Sequence, residues 1–219
     1  MQKRIPVKTL TGLAVLSAMA YLMMVLFRIP VVLFLKYEPK DVMMAVGGFL
    51  YGPMSAFAMS LVVSFIEMIT VSDTGWIGFT MNVVSSCAFC CTAAVIYKRK
   101  RDLKGAVLGL AAGWLLTTVV MLLWNYFLTP IFMGIPRAAV AELLLPAFLP
   151  FNLVKGGLNA AVTMLIYKPI TRALRGSHLL PPAEDNASAK GKFNPGVVLL
   201  SLFVFITCVL FVLVLQGRI

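Results

Sequence analysis

The sequence predicts an all-α integral membrane protein, and three observations carry this prediction. The 219-residue chain is 61% hydrophobic and 12% charged, whereas soluble globular proteins carry roughly 25% charged residues. Its mean hydropathy is +0.96. Its apolar residues form long continuous runs, which indicate membrane helices and not the weakly alternating strands of a membrane β-barrel. The same composition excludes an ordinary soluble enzyme and a disordered protein.

Seven apolar segments follow one another along the chain. A helix needs about 20 apolar residues to span a membrane, with a range of about 17–25. The stretch 42–70 is interrupted at Tyr51-Gly52-Pro53, which predicts two helices joined by a tight turn. The first of these, 42–51, is too short to span alone unless it is extended or tilted. The predicted segments are 9–28, 42–70 as two helices, 77–97, 105–128, 147–167 and 196–216.

The basic residues mark the sides of the membrane. They cluster before the first segment, between residues 98 and 104, and between residues 168 and 192. Lysine and arginine concentrate in cytoplasmic loops, so this pattern predicts a cytoplasmic N-terminus and an even number of crossings before Lys98. The excess of 19 basic over 8 acidic residues is therefore interpreted as a topology signal. Binding of nucleic acid, the other class that such an excess indicates, is not expected.

The segments between the helices divide the chain. Three outer loops are predicted at 29–41, 71–76 and 129–146, and long loops on one face often cover a site. The polar stretch 176–195 is typical of a linker. We therefore predict a six-helix membrane domain over 1–175, a cytoplasmic linker over 176–195 and an additional C-terminal transmembrane helix over 196–219.

Motifs for catalysis are absent from the sequence. There is no phosphate-binding loop, no nucleophile elbow and no paired-histidine metal motif, so no enzymatic activity is expected. Cys87-x-x-Cys90-Cys91 has a spacing that suits a metal, but no histidine or carboxylate lies near it in sequence. These cysteines are interpreted as small packing residues. No metal and no cofactor are predicted.

A lysine inside the sixth segment is the first candidate for a binding residue. A lysine at the middle of a membrane helix costs roughly 2.5–3.5 kcal/mol on insertion scales. Asn152, Lys155 and Asn159 are spaced i, i+3 and i+7, so they share one helix face. A helix-packing stripe would explain Asn159 well, but it does not explain a charge. We therefore predict that Asn152 and Lys155 bind a ligand.

Two further segments offer polar candidates. Asn125 lies near the outer end of the fifth segment, and its carboxamide presents a donor beside an acceptor, which suits the edge of a heterocycle; the alternative is a helix-end cap. Ser60, Ser64 and Glu67 share one face of the third segment. Glu67 is included among the predicted ligand-binding residues; the alternatives are a solvated helix end and a counter-ion of Lys155.

Aromatic and small residues complete the candidates. The first outer loop contains Phe34 and Tyr37, which fit a lid over an aromatic ligand or, alternatively, an interfacial belt. Phe151 precedes the polar stripe of the sixth segment. Ala14 and Ala18 lie four residues apart in the first segment, a spacing that lets another helix approach closely. They serve either internal packing or docking of a partner protein.

Several motifs, in this order and spacing, resemble a known family over about residues 8–172. Leu149-Pro-Phe-Asn-Leu-Val-Lys-Gly156 is the most specific of them. The chain resembles the riboflavin-binding S components of energy-coupling factor (ECF) transporters, of the RibU type. The other motifs are Phe34-Leu-Lys-Tyr-Glu38, Asp41-Val42, Gly47-Gly-Phe-Leu-Tyr-Gly-Pro53, Gly75-Trp-Ile-Gly-Phe79 with Asn82, Ile96-Tyr-Lys-Arg-Lys100 and Asn125-Tyr-Phe127.

The resemblance implies a vitamin-capturing protein in a bacterial cell membrane. It implies that Asn125, Asn152 and Lys155 contact the polar edge of the isoalloxazine ring, and that the loop holding Tyr37 closes over the ligand. It also implies that Ala14 and Ala18 pack on a transmembrane coupling protein, which works with two ATPase subunits. The additional C-terminal segment departs from the six-helix pattern of the family.

The chemistry of the candidate residues agrees with riboflavin. The vitamin has a flat tricycle that Phe34, Tyr37 and Phe151 could enclose, and ring carbonyls to which Lys155 could donate. Riboflavin, or its phosphate FMN, is therefore expected as the transported ligand. No cofactor is expected, and membrane lipid is expected to surround the protein. Two alternatives stay open: an S component for another vitamin, and a membrane scaffold whose polar stripe only packs helices.

Overall fold

A computed structural model describes residues 6–177, 179 and 195–216 of the chain. Its helices run back and forth between two ends of one bundle. The elements are α1 (Val7–Leu26), β1 (Ile29–Val32), β2 (Leu35–Tyr37), α2 (Lys40–Tyr51), α3 (Pro53–Thr70), α4 (Gly75–Ser86), the π-helical turn π1 (Cys87–Cys91), α5 (Thr92–Arg99), α6 (Leu103–Met133), α7 (Arg137–Leu143), π2 (Leu144–Phe148), α8 (Leu149–Gly176) and α9 (Pro195–Leu215).

Among the described residues, six helices are long and apolar enough to cross a membrane. Two of them are composite, because the π-helical turns join α4 to α5 and α7 to α8 without a break. The short helix α2 is the remaining member of the bundle, and ten of its 12 residues are buried. The chain is thus a multi-pass membrane protein in which five long spans and the short α2 form a six-helix bundle, followed by α9. This confirms the predicted all-α fold with one additional C-terminal helix; much of the predicted linker 176–195 lies outside the described residues.

The two ends of the bundle differ in their loops. We call the end that carries β1 and β2 the hairpin end; the loops 71–74 and 134–136 lie there too. The opposite end, which we call the basic end, carries the α2–α3 turn and the basic run Lys98–Arg101. At that turn Gly52 has φ of 97°, a left-handed value that glycine adopts readily, and Pro53 begins α3. The predicted break in 42–70 therefore lies where glycine and proline indicated it.

The first outer loop is more ordered than the sequence predicted. Residues 29–41 contain an antiparallel hairpin, in which Ile29 pairs with Tyr37 and Val32 with Leu35, and they contain the first residues of α2. The turn places Leu33 at φ of 51°, an unusual conformation for a residue with a branched side chain. The hairpin buries Val31, Leu35 and Tyr37 against the bundle, and this tertiary packing explains why local sequence did not reveal the strands.

The prediction of a third outer loop over 129–146 is wrong in its extent. α6 continues to Met133 despite Pro130 within it, and α7 begins at Arg137. Only residues 134–136 connect them, and Gly134 ends α6 in a left-handed conformation with φ of 66°. The sequence Arg137–Leu143 is rich in alanine, glutamate and leucine, which favour helix strongly. These propensities outweigh the polar and proline signals that predicted a loop.

Close packing characterises the contact between α5 and α6. A Cβ atom added to Gly109 would lie 2.7 Å from the carbonyl oxygen of Ala93, and one added to Gly113 would lie 2.5 Å from that of Phe89. Both glycines therefore let the two helices approach to backbone contact. The main apolar core lies beside this contact and is formed by residues of α1, α2, α3, α5, α6 and α8 together with Phe89 and Cys90.

The additional helix α9 packs on α8 and reaches the hairpin. Its residues Phe205, Val209 and Val212 join the apolar cluster beneath β1 and β2. At its end, Gln216 Nε2 donates to the carbonyl oxygen of Pro30 at 2.7 Å. The seventh helix is thus attached to the hairpin as well as to the bundle.

Candidate ligand-binding site

A polar cavity of about 290 Å³ lies under the hairpin. Ligand sites are clefts of roughly 300–1,000 Å³ in which apolar side chains surround convergent polar groups. This cavity is close to that size and combines aromatic side chains with an unusually large number of polar ones. A larger apolar cleft of about 450 Å³ lies between α1, α8 and α9 but offers few polar groups. The lining of the polar cavity is Arg28, Phe34, Leu35, Lys36, Glu38, Glu67, Asp73, Thr74, Met81, Asn82, Ser85, Met121, Asn125, Phe132, Phe151, Asn152 and Lys155.

One wall of the cavity carries amides and an ammonium group. Asn125 on α6 and Asn152 on α8 are both buried. Each donates one N–H to a carbonyl oxygen one turn earlier, Met121 and Phe148 respectively, at 2.7 Å. A carboxamide has a second N–H and an oxygen with two lone pairs, so both retain hydrogen-bonding capacity. Lys155, one turn beyond Asn152 on the same helix, lines this wall as well.

Lys155 is paired with Asp41 rather than with Glu67. Its Nζ lies 3.9 Å from Oδ2 of Asp41, the second residue of α2. The same carboxylate oxygen accepts a hydrogen bond from Asn159 Nδ2 at 3.1 Å, and Oδ1 accepts one from Ser86. Asp41 is buried and lies behind the wall, outside the cavity lining. It therefore gives the lysine a counter-charge inside the bundle and links α2, α4 and α8.

A second part of the lining, which we call the carboxylate wall, carries Glu38 and Glu67 around a buried lysine. Lys40 is fully buried, and its Nζ lies 2.9 Å from Oε2 of Glu38 and in close contact with Oε2 of Glu67. Glu67 Oε1 accepts a hydrogen bond from Asn82 Nδ2 at 2.9 Å. Glu67 is thus a buried ion-pair partner of Lys40, and the expectation of a solvated helix end is wrong because α2 and α4 cover it.

Glu38 joins this wall from the hairpin side. Arg28 Nε lies 2.9 Å from its Oε1, and the Arg28 guanidinium also donates to the carbonyl oxygen of Val71. Burial alone would raise the pKa of Glu38, but the neighbouring cations, Lys40 foremost, outweigh burial and hold the pKa below its usual value. The Glu38 carboxylate is therefore ionised at neutral pH.

An exposed ion pair lies at the mouth of the cavity. Lys36 Nζ on β2 donates to Oδ2 of Asp73 in the α3–α4 loop at 2.8 Å. The hydrogen bond from Lys36 and the charge of its ammonium lower the pKa of Asp73 below its ordinary value. This pair connects the hairpin to the neighbouring loop across the opening.

Of the predicted aromatic residues, two line the cavity and one does not. Phe34, at the hairpin turn, lies with its ring centroid 5.5 Å from that of Phe132, and Phe151 contributes from α8. Tyr37 is buried beneath the hairpin, and its hydroxyl donates to Oδ1 of Asn159 at 3.2 Å. The role of Tyr37 as a lid stays a prediction, since its ring lies outside the cavity lining in this conformation.

The remaining candidates lie away from the cavity. Ala14 and Ala18 are both exposed on α1, so their small side chains are available on the surface of the bundle. The four cysteines are free thiols. Within the residues that the structure describes, no group of three or more histidine, cysteine or acidic side chains could hold a metal ion.

Sequence reasoning missed most of the carboxylate wall. Lys40, Glu38 and Arg28 fall in the predicted first outer loop or at its edge, where charged residues are ordinary. One signal was present: Glu38-Pro-Lys-Asp41 stands directly before the apolar run of α2, so its charges enter the bundle with that helix. Glu38, Asp41 and Asn82 stand out in the sequence only as parts of the motifs that carry the resemblance.

The fold and the cavity together define a multi-pass membrane protein with a ligand-sized cavity among its helices. The family described as "ECF transporter, substrate-specific component" matches residues 8–167. The chain therefore belongs to the substrate-specific components of ECF transporters, which are transport proteins and not enzymes. The match ends within α8, so α9 lies outside it.

Similar proteins agree with this assignment. The riboflavin transporter RibU of Staphylococcus aureus is 28% identical over 177 residues, covering 77% of this chain and 93% of that protein. The riboflavin transporter FmnP of Bacillus subtilis is 26% identical over 187 residues, covering 79% of this chain and 98% of that protein. A solved structure of the S component of a bacterial ECF transporter superposes with a TM-score of 0.64 at 27% identity, covering 77% of this chain and 98% of that chain.

Proposed function

We propose that this protein captures riboflavin at the hairpin end and releases it to the cytoplasm as the S component of an ECF-type uptake transporter. The observation that carries the proposal is the single cavity in which Asn125, Asn152 and Lys155 converge beside aromatic side chains. The names of its relatives, which are riboflavin transporters, support the choice of vitamin.

The walls of the cavity match the chemistry of the flavin ring. The edge of the isoalloxazine ring presents carbonyl oxygens and one N–H. Lys155 and the free N–H groups of Asn125 and Asn152 donate to the carbonyls, and an asparagine oxygen accepts from the ring N–H. Phe34 and Phe151 pack on the tricycle. A site whose buried polar groups pair with the ligand rejects molecules that lack those partners.

Orientation and coupling are part of the proposal. The distribution of lysine and arginine supports a cytoplasmic basic end; the N-terminus would then lie inside and the cavity would open outside. The exposed Ala14 and Ala18 would form the surface on which a transmembrane coupling protein docks, and two ATPase subunits would supply the energy. The additional helix α9 would follow a cytoplasmic linker and would act as a further membrane anchor.

The first experiment is an absorbance spectrum of the protein purified in mild detergent. We expect flavin bands near one equivalent per chain, or quenching of riboflavin fluorescence on titration. Asn152→Ala and Lys155→Ala should each weaken riboflavin binding at least tenfold, about 1.4 kcal/mol, because each removes a donor to the ring. Unchanged affinity in both variants contradicts the site.

Ala18→Trp is the matched control for the site variants. Ala18 is exposed and is not part of the cavity lining, so this variant should bind riboflavin like the wild type while uptake in cells with the complete transporter is lost. Loss of binding in Ala18→Trp would instead indicate internal packing. Binding of a different vitamin, with no riboflavin binding, would redirect the assignment within the family. A protein that binds none would be a scaffold.

A further inference from the structure

The hairpin covers the cavity and is attached to its neighbours on two sides. Phe34, Leu35 and Lys36 of the hairpin contribute to the cavity lining, so a molecule that enters from the hairpin end passes this segment. On one side, Lys36 pairs with Asp73 of the α3–α4 loop. On the other side, β1 contacts the additional helix α9. The position of the hairpin therefore depends on α9 as well as on the bundle.

One face of α9 is turned toward the hairpin. It carries Phe205, Val209, Val212 and Gln216, which are spaced i, i+4, i+7 and i+11 and so form one stripe along the helix. The three apolar members of this stripe pack against the cluster that contains the buried side of the hairpin. Val214 lies on a different face of the helix and is 55% exposed. The packing on the hairpin is thus specific to one face.

A hydrogen bond ends this stripe. Gln216 Nε2 donates to the carbonyl oxygen of Pro30 on β1 at 2.7 Å. The bond is exposed to solvent, and water competes for both of its partners, so its net contribution is modest. It joins the end of α9 to the strand at the point where the β1–β2 register shifts, between Pro30 and Val32. The apolar stripe supplies the larger part of the attachment.

The attachment of α9 is separate from the cavity and from the matched family domain. Pro30, Val212 and Gln216 are not part of the cavity lining. The family match ends at residue 167, so the contacts of α9 are additional to those of the matched region. Substitutions in this stripe therefore act on the hairpin without removing a contact to a molecule in the cavity.

We propose that α9 is a clasp on the hairpin: through Val212 and Gln216 it holds the hairpin closed over the cavity and so slows both the entry and the release of the ligand. The inference rests on the proposed function, because it takes riboflavin as the ligand and the hairpin end as its entrance. Since the contacting atoms lie outside the cavity, the clasp stabilises the closed hairpin equally with and without ligand. It changes the two rates together and leaves the affinity unchanged.

The test measures riboflavin association and dissociation by stopped-flow fluorescence of the full-length protein in detergent. Val212→Ala removes apolar contact with the hairpin cluster. It should raise both rate constants by the same factor, about threefold or more, which is the rate equivalent of roughly 0.65 kcal/mol. The dissociation constant should stay within about twofold of the wild type, a difference of less than roughly 0.4 kcal/mol.

Val214→Ala is the matched control, because it makes the same substitution on a face of α9 that is exposed. Both of its rate constants should equal those of the wild type. Gln216→Leu removes the donor to Pro30 and keeps a side chain of similar length. It should raise both rates as Val212→Ala does, by a smaller factor, because the bond that it removes is exposed.

Hydrogen exchange tests the clasp without any ligand. Backbone amides exchange when the segment that holds them opens locally. In the ligand-free protein, the amides of residues 29–37 should exchange faster in Val212→Ala than in the wild type, and Val214→Ala should leave them unchanged. This measurement separates a fault in the clasp from a fault in the assignment of riboflavin.

Three outcomes would overturn the clasp. Identical rates and identical hairpin exchange in Val212→Ala and Val214→Ala would make α9 an anchor only. Faster dissociation with unchanged association would mean that the stripe acts on the bound ligand and not on closure. Unchanged hairpin exchange in Val212→Ala would contradict the clasp by itself. If the wild type binds no riboflavin, the proposed function fails, and hydrogen exchange still decides whether α9 holds the hairpin.

Discussion

The hairpin end and the basic end of the bundle are stabilised in different ways. In the described chain, the charged residues that are buried are Glu38, Lys40, Asp41 and Glu67, and all of them lie toward the hairpin end. Toward the basic end, helices α5 and α6 meet at glycines with backbone against backbone. One end contains paired charges beside a cavity, and the other is closely packed.

This difference indicates where the protein gives up stability for binding. Charges inside a membrane protein are expensive, and buried ion pairs seldom improve on apolar packing. We therefore attribute their concentration around one cavity to the proposed recognition of a ligand and not to folding. Substitutions toward the basic end should act on folding alone, whereas those at the hairpin end should separate folding from binding.

Removing the buried cation should have the largest effect. Lys40→Met leaves Glu38 and Glu67 facing each other without their shared partner. Breaking a buried ion pair by removing one member costs about 3–5 kcal/mol, so we expect a large fall in the thermal unfolding midpoint in detergent. The double variant Lys40→Met/Glu67→Gln, which restores charge balance, should recover at least half of that loss. No recovery would mean that the alkyl chain of Lys40 is what matters.

The second-largest effect should come from filling a close contact between helices toward the basic end. Gly109→Leu places a side chain where a Cβ atom would already lie 2.7 Å from the Ala93 carbonyl oxygen. Overpacking of this kind costs about 1–3 kcal/mol and should lower stability. Riboflavin affinity of the folded fraction should stay unchanged.

Gly176→Ala is the control for this substitution, because nothing lies within 4 Å of the added atom. Its stability should match that of the wild type. If Gly109→Leu lowers riboflavin affinity without loss of stability, the two ends are coupled more closely than their packing indicates.

The apolar segments, the turn at Gly52 and the stripe of Asn152 and Lys155 could be predicted because each depends on residues close in sequence. Hydropathy, a glycine–proline pair and helical spacing are local signals. The hairpin could not be predicted, since its strands are stabilised by packing on α8 and α9.

The carboxylate wall escaped prediction for a related reason. Glu38, Lys40, Glu67 and Asn82 come from the hairpin, α2, α3 and α4, and no periodicity in the sequence brings them together. Their association appears only when the helices pack. The pairing of Lys155 with Asp41, 114 positions apart in the chain by their residue numbers, belongs to the same class of long-range contact.

A smaller effect is expected for Tyr37, which lies between the cavity and the apolar cleft. If the hairpin rearranges so that Tyr37 covers the flavin, Tyr37→Ala should weaken riboflavin binding several-fold and reduce the quenching of flavin fluorescence. Tyr37→Phe should keep the quenching, since it retains the ring and loses only the hydrogen bond to Asn159, about 1 kcal/mol. Identical behaviour of the two variants would assign Tyr37 to the hydrogen bond alone.

The smallest effect should come from the exposed pair at the mouth, because surface ion pairs contribute little and are screened by salt. Asp73→Asn should raise the riboflavin dissociation rate less than about threefold at low salt. Lys36→Met should have the same effect, and the double variant should show no further increase, because both substitutions break the same ion pair.

The pKa of Asp73 is lowered by Lys36, so the pair is complete above the ordinary aspartate pKa of about 3.9 and is lost only as pH falls through the lower folded value. Stopped-flow dissociation rates should therefore be constant between pH 5 and 8 in the wild type, as far as this pair is concerned. A tenfold acceleration in Asp73→Asn would show instead that closure of the hairpin depends on this one contact, and that the hairpin end is held shut from outside rather than by its buried charges.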